Sequence, residues 1–162
     1  MRSILERLIS ALFMILFMQI PAFMQTYTQL LAGHVAELNY QIGQYQQIAD
    51  KNHKSLPDLV HRFLKSEDTE IASLGQILNQ LLERFDKLKN SLDLLTHSPA
   101  WKKPFIFFSQ LDLSVLKESF SHYTIGLPLT LESLAYGIIG IVLSIILTKL
   151  GGLRAVRARP AE

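Results

Sequence analysis

The chain has 162 residues, 49% of them hydrophobic and 19% charged, with a net charge of +2. The apolar residues gather at the two ends instead of spreading evenly, which argues against an ordinary water-soluble globule and leaves room for one small polar domain between them. The basic excess (Arg2, Arg7, Lys149, Arg154, Arg157 and Arg159) flanks those ends, so the middle has no basic face for nucleic acid, and the absence of cysteine excludes disulfides, thiolate zinc sites and cysteine nucleophiles.

From Ile4 to Met24 the chain is apolar apart from Glu6, Arg7, Ser10 and Gln19. About 20 helical residues cross a hydrocarbon layer ~30 Å thick, so residues 1–24 are expected to form an N-terminal transmembrane helix. A signal peptide would also start basic and carry a short apolar core such as Leu8 to Met18. The run Ile20-Pro21-Ala22-Phe23-Met24 offers no small-x-small cleavage site, however, so a retained anchor is the expectation.

The segment 25–126 is read as a helical domain. Leu31, Val35, Leu38, Ile42, Tyr45 and Ala49 recur in alternating steps of four and three, which predicts a helix with one narrow apolar seam. Ser55 before Leu56-Pro57-Asp58 has the form of a helix start, with a serine cap, a proline in the first turn and an acid near the positive end of the helix dipole; a short helix to about Ser66 follows. From Glu70, the residues Ile71, Leu74, Leu78, Leu81, Phe85, Leu88, Leu92 and Leu95 keep the three-four alternation without a break and predict a long helix. Ser98-Pro99 suggests a further start, carrying Trp101, Phe105 and Phe108, and Asp112 or Ser114 is placed to cap a last short helix to about Tyr123. The two seams can bury each other as a coiled-coil-like antiparallel hairpin, with the aromatic segment from Trp101 to Phe120 covering its open side.

The second apolar stretch, Leu127 to Thr148, is uncharged after Glu132 and predicts a C-terminal transmembrane helix over 127–149, followed by a basic tail over 150–162. Lysine and arginine near the ends of a span stay on the cytoplasmic side, so both termini are expected there and the central domain outside. An even number of crossings agrees with that charge pattern. The fold class expected is all-α: two transmembrane helices flanking a small extracytoplasmic helical bundle.

Few residues suggest chemistry. His34 and Glu37 lie three apart on one helical face, as do Asp58 and His61, but a zinc site needs three or four ligands with a supporting shell, and His53, His97 and His122 add no pattern. A surface or hydrogen-bonded role for these residues is the simpler reading. No nucleophile motif is present, and scattered carboxylates among lysines on helices are usually a solvated face, so neither an enzyme nor a cofactor is expected. Glu132 is the acid nearest a membrane interior, where ionisable groups are candidates for function, but it also falls in the first turn after Thr130, where an acid meets the helix dipole. Gln19 and Pro21 mark the exit of the first span. Ser133, Gly137, Gly140, Ser144 and Thr148 advance by four, three, four and four along one stripe, a spacing that lets helix backbones approach in lipid, against either the first span or a second protein.

The run Gln19-Ile20-Pro21, Phe23, Tyr27, Gln29-Leu30, Gly33-His34 and Glu37, with Ala32 where a second glycine is expected, is joined by Pro128-Leu129-Thr130-Leu131-Glu132 before the second span. Over almost its whole length the chain thereby resembles the bacterial domain-of-unknown-function family 2937, short two-span inner-membrane proteins. The resemblance implies a bacterial inner-membrane location and no activity. Candidate interaction residues are Gly33, His34, Glu37, Glu132, Ser133, Gly137, Gly140 and Ser144. The expected partners are the lipid bilayer and a membrane protein or a second copy of the chain. A non-enzymatic envelope scaffold is the leading functional expectation. A sensor-like module, signalling through a membrane partner because little chain follows the second span, is the alternative.

Overall fold

The computed structural model describes residues 2–126 and 128–157. These form six helices and no strand: α1 (Arg2–Lys51), α2 (Leu56–Leu64), α3 (Thr69–His97), α4 (Lys103–Ser109), α5 (Leu113–His122) and α6 (Leu131–Arg157). The last five residues of the expected basic tail, with Arg159 among them, and Leu127 lie outside the described residues. The chain divides into two compact units, residues 1–26 with 121–162, and residues 27–120.

The first unit is an antiparallel pair made from the start of α1 and from α6. Both helices are long and apolar enough to cross a bilayer, the α6 stretch Leu131–Lys149 being 19 residues, or about 28 Å of helical rise. Length alone does not separate a span from the core helix of a soluble protein. Less than a quarter of either apolar window is buried within the chain, and residues such as Leu8, Leu12, Ile138, Val142 and Leu147 face outward. That much contiguous apolar surface is unfavourable in water and compatible with insertion in a membrane. Helix α6 begins later than the apolar run suggests, at Leu131, with Thr130 capping it: its hydroxyl accepts the Ser133 N–H and its carbonyl the Leu134 N–H.

The second unit packs the rest of α1 with α2 to α5. Helix α1 does not stop at the apolar boundary but continues through Pro21 to Lys51, a longer element than two separate periodic patterns suggest. It ends where Lys54 N–H reaches back to the Ala49 carbonyl and His53 takes a φ of 52°, a left-handed closing residue where glycine is usual. Ser55 caps α2 through the Asp58 N–H, as its sequence suggests, and Asp68 caps α3 by accepting from Glu70 and Ile71. Helix α4 starts at Lys103, later than Ser98-Pro99 indicated.

One core cluster joins three helices: Ala49 of α1, Leu56, Leu59 and Val60 of α2, and Leu78 of α3, with Ile42, Tyr45, Phe63 and Leu82 packed against it. The α2–α3 crossing is so close that a Cβ on Gly75 would lie 2.6 Å from the Leu64 nitrogen and 2.8 Å from the Phe63 carbonyl carbon. Only glycine fits there. Along α3 the buried positions are Gly75, Leu78, Leu88, Ser91 and Leu95, while Leu81 is half-buried and Ile71 and Leu74 are exposed, so the regular apolar repeat is longer than the part of it that enters the core. The aromatic segment also differs from expectation: Phe107 turns inward, but Trp101, Phe105 and Phe108 are largely exposed.

Candidate functional site

In the first unit, the small-residue stripe of α6 meets α1. Ser133 and Ser144 are buried, and the Ser144 hydroxyl donates to the Ser10 oxygen at 2.7 Å. A Cβ on Gly140 would come 2.7 Å from the Phe13 carbonyl oxygen, whereas one on Gly137 would meet the flexible side chains of Met18 and Met14. The contact is thus tightest at Gly140, where backbone faces backbone. Near the other end of the pair, Gln19 donates to the Gly126 carbonyl at 2.8 Å and accepts from the Tyr123 hydroxyl at 2.7 Å, while Phe23 meets the Tyr123 ring edge-on. A glutamine inside an apolar run is thereby satisfied by the loop that leads to α6. Glu132 sits exposed in the first turn of α6.

In the second unit, His34 Nε2 lies 2.8 Å from Glu118 Oε2, joining α1 to α5, and Glu37 accepts instead from the Gln41 side chain four residues on. The two residues of the His-x-x-Glu pair therefore engage different partners, and no group of three or more metal-ligating side chains occurs among the described residues. Gly33 is exposed with open space around it.

The principal polar node of this unit centres on Asp112, whose capping role was legible in the sequence while its long-range contacts were not. Its carboxylate caps α5 by accepting from the Ser114 and Val115 N–H groups and the Ser114 hydroxyl. Lys87 of α3 donates to the other oxygen at 3.3 Å, and the Asp112 N–H donates to the hydroxyl of fully buried Tyr27 at 3.0 Å. Arg84 to Ser114 and Ser91 to Gln110 extend the link between α3 and the α4–α5 segment. Tyr27, at the start of the unit's α1 segment, also packs edge-on against Phe107 at 5.0 Å. Asp112 thus ties three helices together, α3 and α5 through its carboxylate and α1 through its backbone N–H.

Burial by itself pushes the Asp112 carboxyl up, but the bonds from Ser114, Lys87 and Val115 and the charge of Lys87 outweigh it and hold the value at about 2. The ordinary value is about 3.9, so the folded state favours the ionised form. That stabilisation is complete above about pH 4 and is lost as pH falls towards about 2. It amounts to about 2 kcal/mol. Melting of the full chain in detergent should therefore fall more steeply across this window for the parent than for Asp112→Asn; identical slopes would show that Asp112 does not drive the loss.

The fold and these contacts define an all-helical protein with two apolar helices compatible with membrane insertion and a small helical bundle. Residues 1–159 match the family described as "Protein of unknown function (DUF2937)", and the chain belongs to that family. No curated protein and no solved structure matches it.

Proposed function

We propose that the chain is a non-enzymatic protein of the bacterial inner membrane that serves as an interaction or assembly scaffold. Both termini lie in the cytoplasm and the α1–α3 coiled-coil-like hairpin, with its companion helices, lies in the periplasm. The antiparallel pairing of Ser10 with Ser144 supports this placement, since it gathers the basic start of α1 and the basic end of α6 at one end of the pair. The scaffold reading is carried by one observation: Ile71, Leu74 and Ile77 form an exposed apolar stripe on α3, at 38%, 54% and 58% exposure, on a bundle small enough to bury them if they were core. Apolar side chains spaced three apart on one helical face are suited to a partner helix, from another membrane protein or a second copy.

Reporter fusions at Glu162 and Asn90 should give opposite signals, and equal signals would overturn the topology. A photo-crosslinking residue at Leu74 should give an adduct of one defined mass in intact membranes, absent from the same probe at exposed Asn90. No adduct at Leu74 would remove the scaffold reading. The sensor-like alternative draws support from the continuity of α1 from Arg2 to Lys51, because an unbroken helix transmits displacement along its axis.

A further inference from the structure

The two ends of the α1–α6 pair differ in charge. At the end beyond the Ser10–Ser144 hydrogen bond, residues 1–10 and 144–157 carry five arginines and lysines and one acid, Glu6. At the other end, residues 19–26 and 121–135 carry no lysine or arginine, and Glu132 is their one acid. Arg7 on α1 and Lys149 on α6 are both exposed. The antiparallel register sets them at nearly one height: Arg7 precedes Ser10 by three residues and Lys149 follows Ser144 by five, or about 4.5 Å and 7.5 Å of rise in the same direction.

Both cations adjoin apolar surface. From Lys149, steps of four, three and four back along α6 reach Ile145, Val142 and Ile138, a single row of exposed side chains at 43%, 50% and 59%. The small-residue face that meets α1 at Gly140 and Ser144 lies on the other side of the helix, so the row is not used for pairing. Leu8, next to Arg7, is exposed as well.

A ligand for this end must therefore answer two demands, negative charge at Arg7 and Lys149 and hydrocarbon along the row below them. Inorganic phosphate or an acidic peptide answers only the first. A zwitterionic phospholipid offers the hydrocarbon but no net charge. An anionic phospholipid answers both, because its phosphate accepts from guanidinium and ammonium groups while its acyl chain lies along apolar side chains. Long basic side chains at the end of a span reach towards headgroups in just this way.

We infer that the Arg7–Lys149 end of the helix pair binds anionic phospholipid of the surrounding leaflet, with the phosphate at Arg7 and Lys149 and an acyl chain along Ile145, Val142 and Ile138. The inference rests on the membrane placement proposed above and goes beyond the scaffold reading.

Trp101 is the only tryptophan, so Trp101→Phe gives a dark background. In it, Ile145→Trp reports the row, and Leu134→Trp, at an exposed position of the end without arginine or lysine, is the control. The full chain is placed in nanodiscs of equal parts phosphatidylglycerol and phosphatidylcholine, with a minor fraction of one lipid or the other brominated on its acyl chains. Brominated phosphatidylglycerol should quench the Ile145→Trp emission several-fold more than brominated phosphatidylcholine, and the two should quench the Leu134→Trp emission alike. Arg7→Gln with Lys149→Gln should remove the preference while the Leu134→Trp quenching and the helical circular dichroism persist. Added salt should weaken the preference, and inorganic phosphate should weaken it no more than chloride of the same ionic strength. Equal quenching by both lipids at Ile145→Trp would overturn the inference and leave the membrane placement standing. The same preference at both ends, a preference unchanged in the glutamine variant, or a specific loss with inorganic phosphate would each overturn it too, the last because a free anion and not a lipid would then fill the site. No quenching at either position by either lipid would overturn both the site and the membrane placement.

Discussion

Gly140→Leu is expected to pull α6 away from α1. A single Cβ at that position already comes within 2.7 Å of the Phe13 carbonyl oxygen and 3.0 Å of the Phe17 Cβ, and backbone cannot rotate out of the way as a side chain can. Leucine adds three further carbons to that clash. Its better helix propensity returns about 1 kcal/mol relative to glycine, whereas overpacking a close contact costs roughly 1–3 kcal/mol or more, so the clash decides the sign. The readout follows from the Ser10–Ser144 hydrogen bond and from a chain with no native cysteine. Cysteines placed at those two positions should form an intrachain disulfide readily in the parent and largely fail to do so with Gly140→Leu. Val142→Leu, at an exposed position of the same helix, controls for added apolar volume and should crosslink like the parent. Equal crosslinking in all three would show that the helices do not pair through this stripe.

Leu88→Ala should be the most damaging truncation in the bundle. Leu88 is wholly buried on the α3 face that also buries Ser91 and Leu95. Removing a fully buried leucine side chain loses its transfer free energy and leaves a cavity, together roughly 2–5 kcal/mol. The neighbouring residues Lys87 and Ser91 hold polar bonds to Asp112 and Gln110, which resist collapse of α3 into the space and place the expected cost towards the upper part of that range. Leu81→Ala, half-buried, should cost clearly less, and Leu74→Ala, exposed, close to nothing. Melting of the full chain in detergent measures all three. Equal melting temperatures for Leu88→Ala and Leu74→Ala would mean that the α3 face is packed differently.

Much of the architecture was legible in the residues. Two apolar stretches, the unbroken three-four repeat from Ile71 to Leu95 and the Ser55-Leu56-Pro57-Asp58 start are local signals, each set by a few neighbouring side chains, and the helices they announce are present. The spacing of Ser133, Gly137, Gly140 and Ser144 likewise marks a close-packing face in advance, because four- and three-residue steps place small side chains on one line whatever lies opposite.

What lies opposite was decided only by tertiary structure. Periodicity says that a face is apolar but not which part of it finds a neighbour, so Ile71 and Leu74 carry the same signal as Leu78 and Leu88 yet remain exposed. The same limit explains the aromatic segment, where Phe107 is buried beside two exposed phenylalanines. Pairings across more than 80 residues, Tyr27 with Asp112 and His34 with Glu118, leave no mark in local sequence, since each depends on the path of α2 to α4 between them. The sequence by itself determined where most helices form and which stretches are apolar enough to cross a membrane, because those are properties of short-range sterics and apolar content; only the packed structure decided that the small-residue stripe meets α1 and that Asp112 ties three helices, because both depend on which groups come within van der Waals and hydrogen-bond reach.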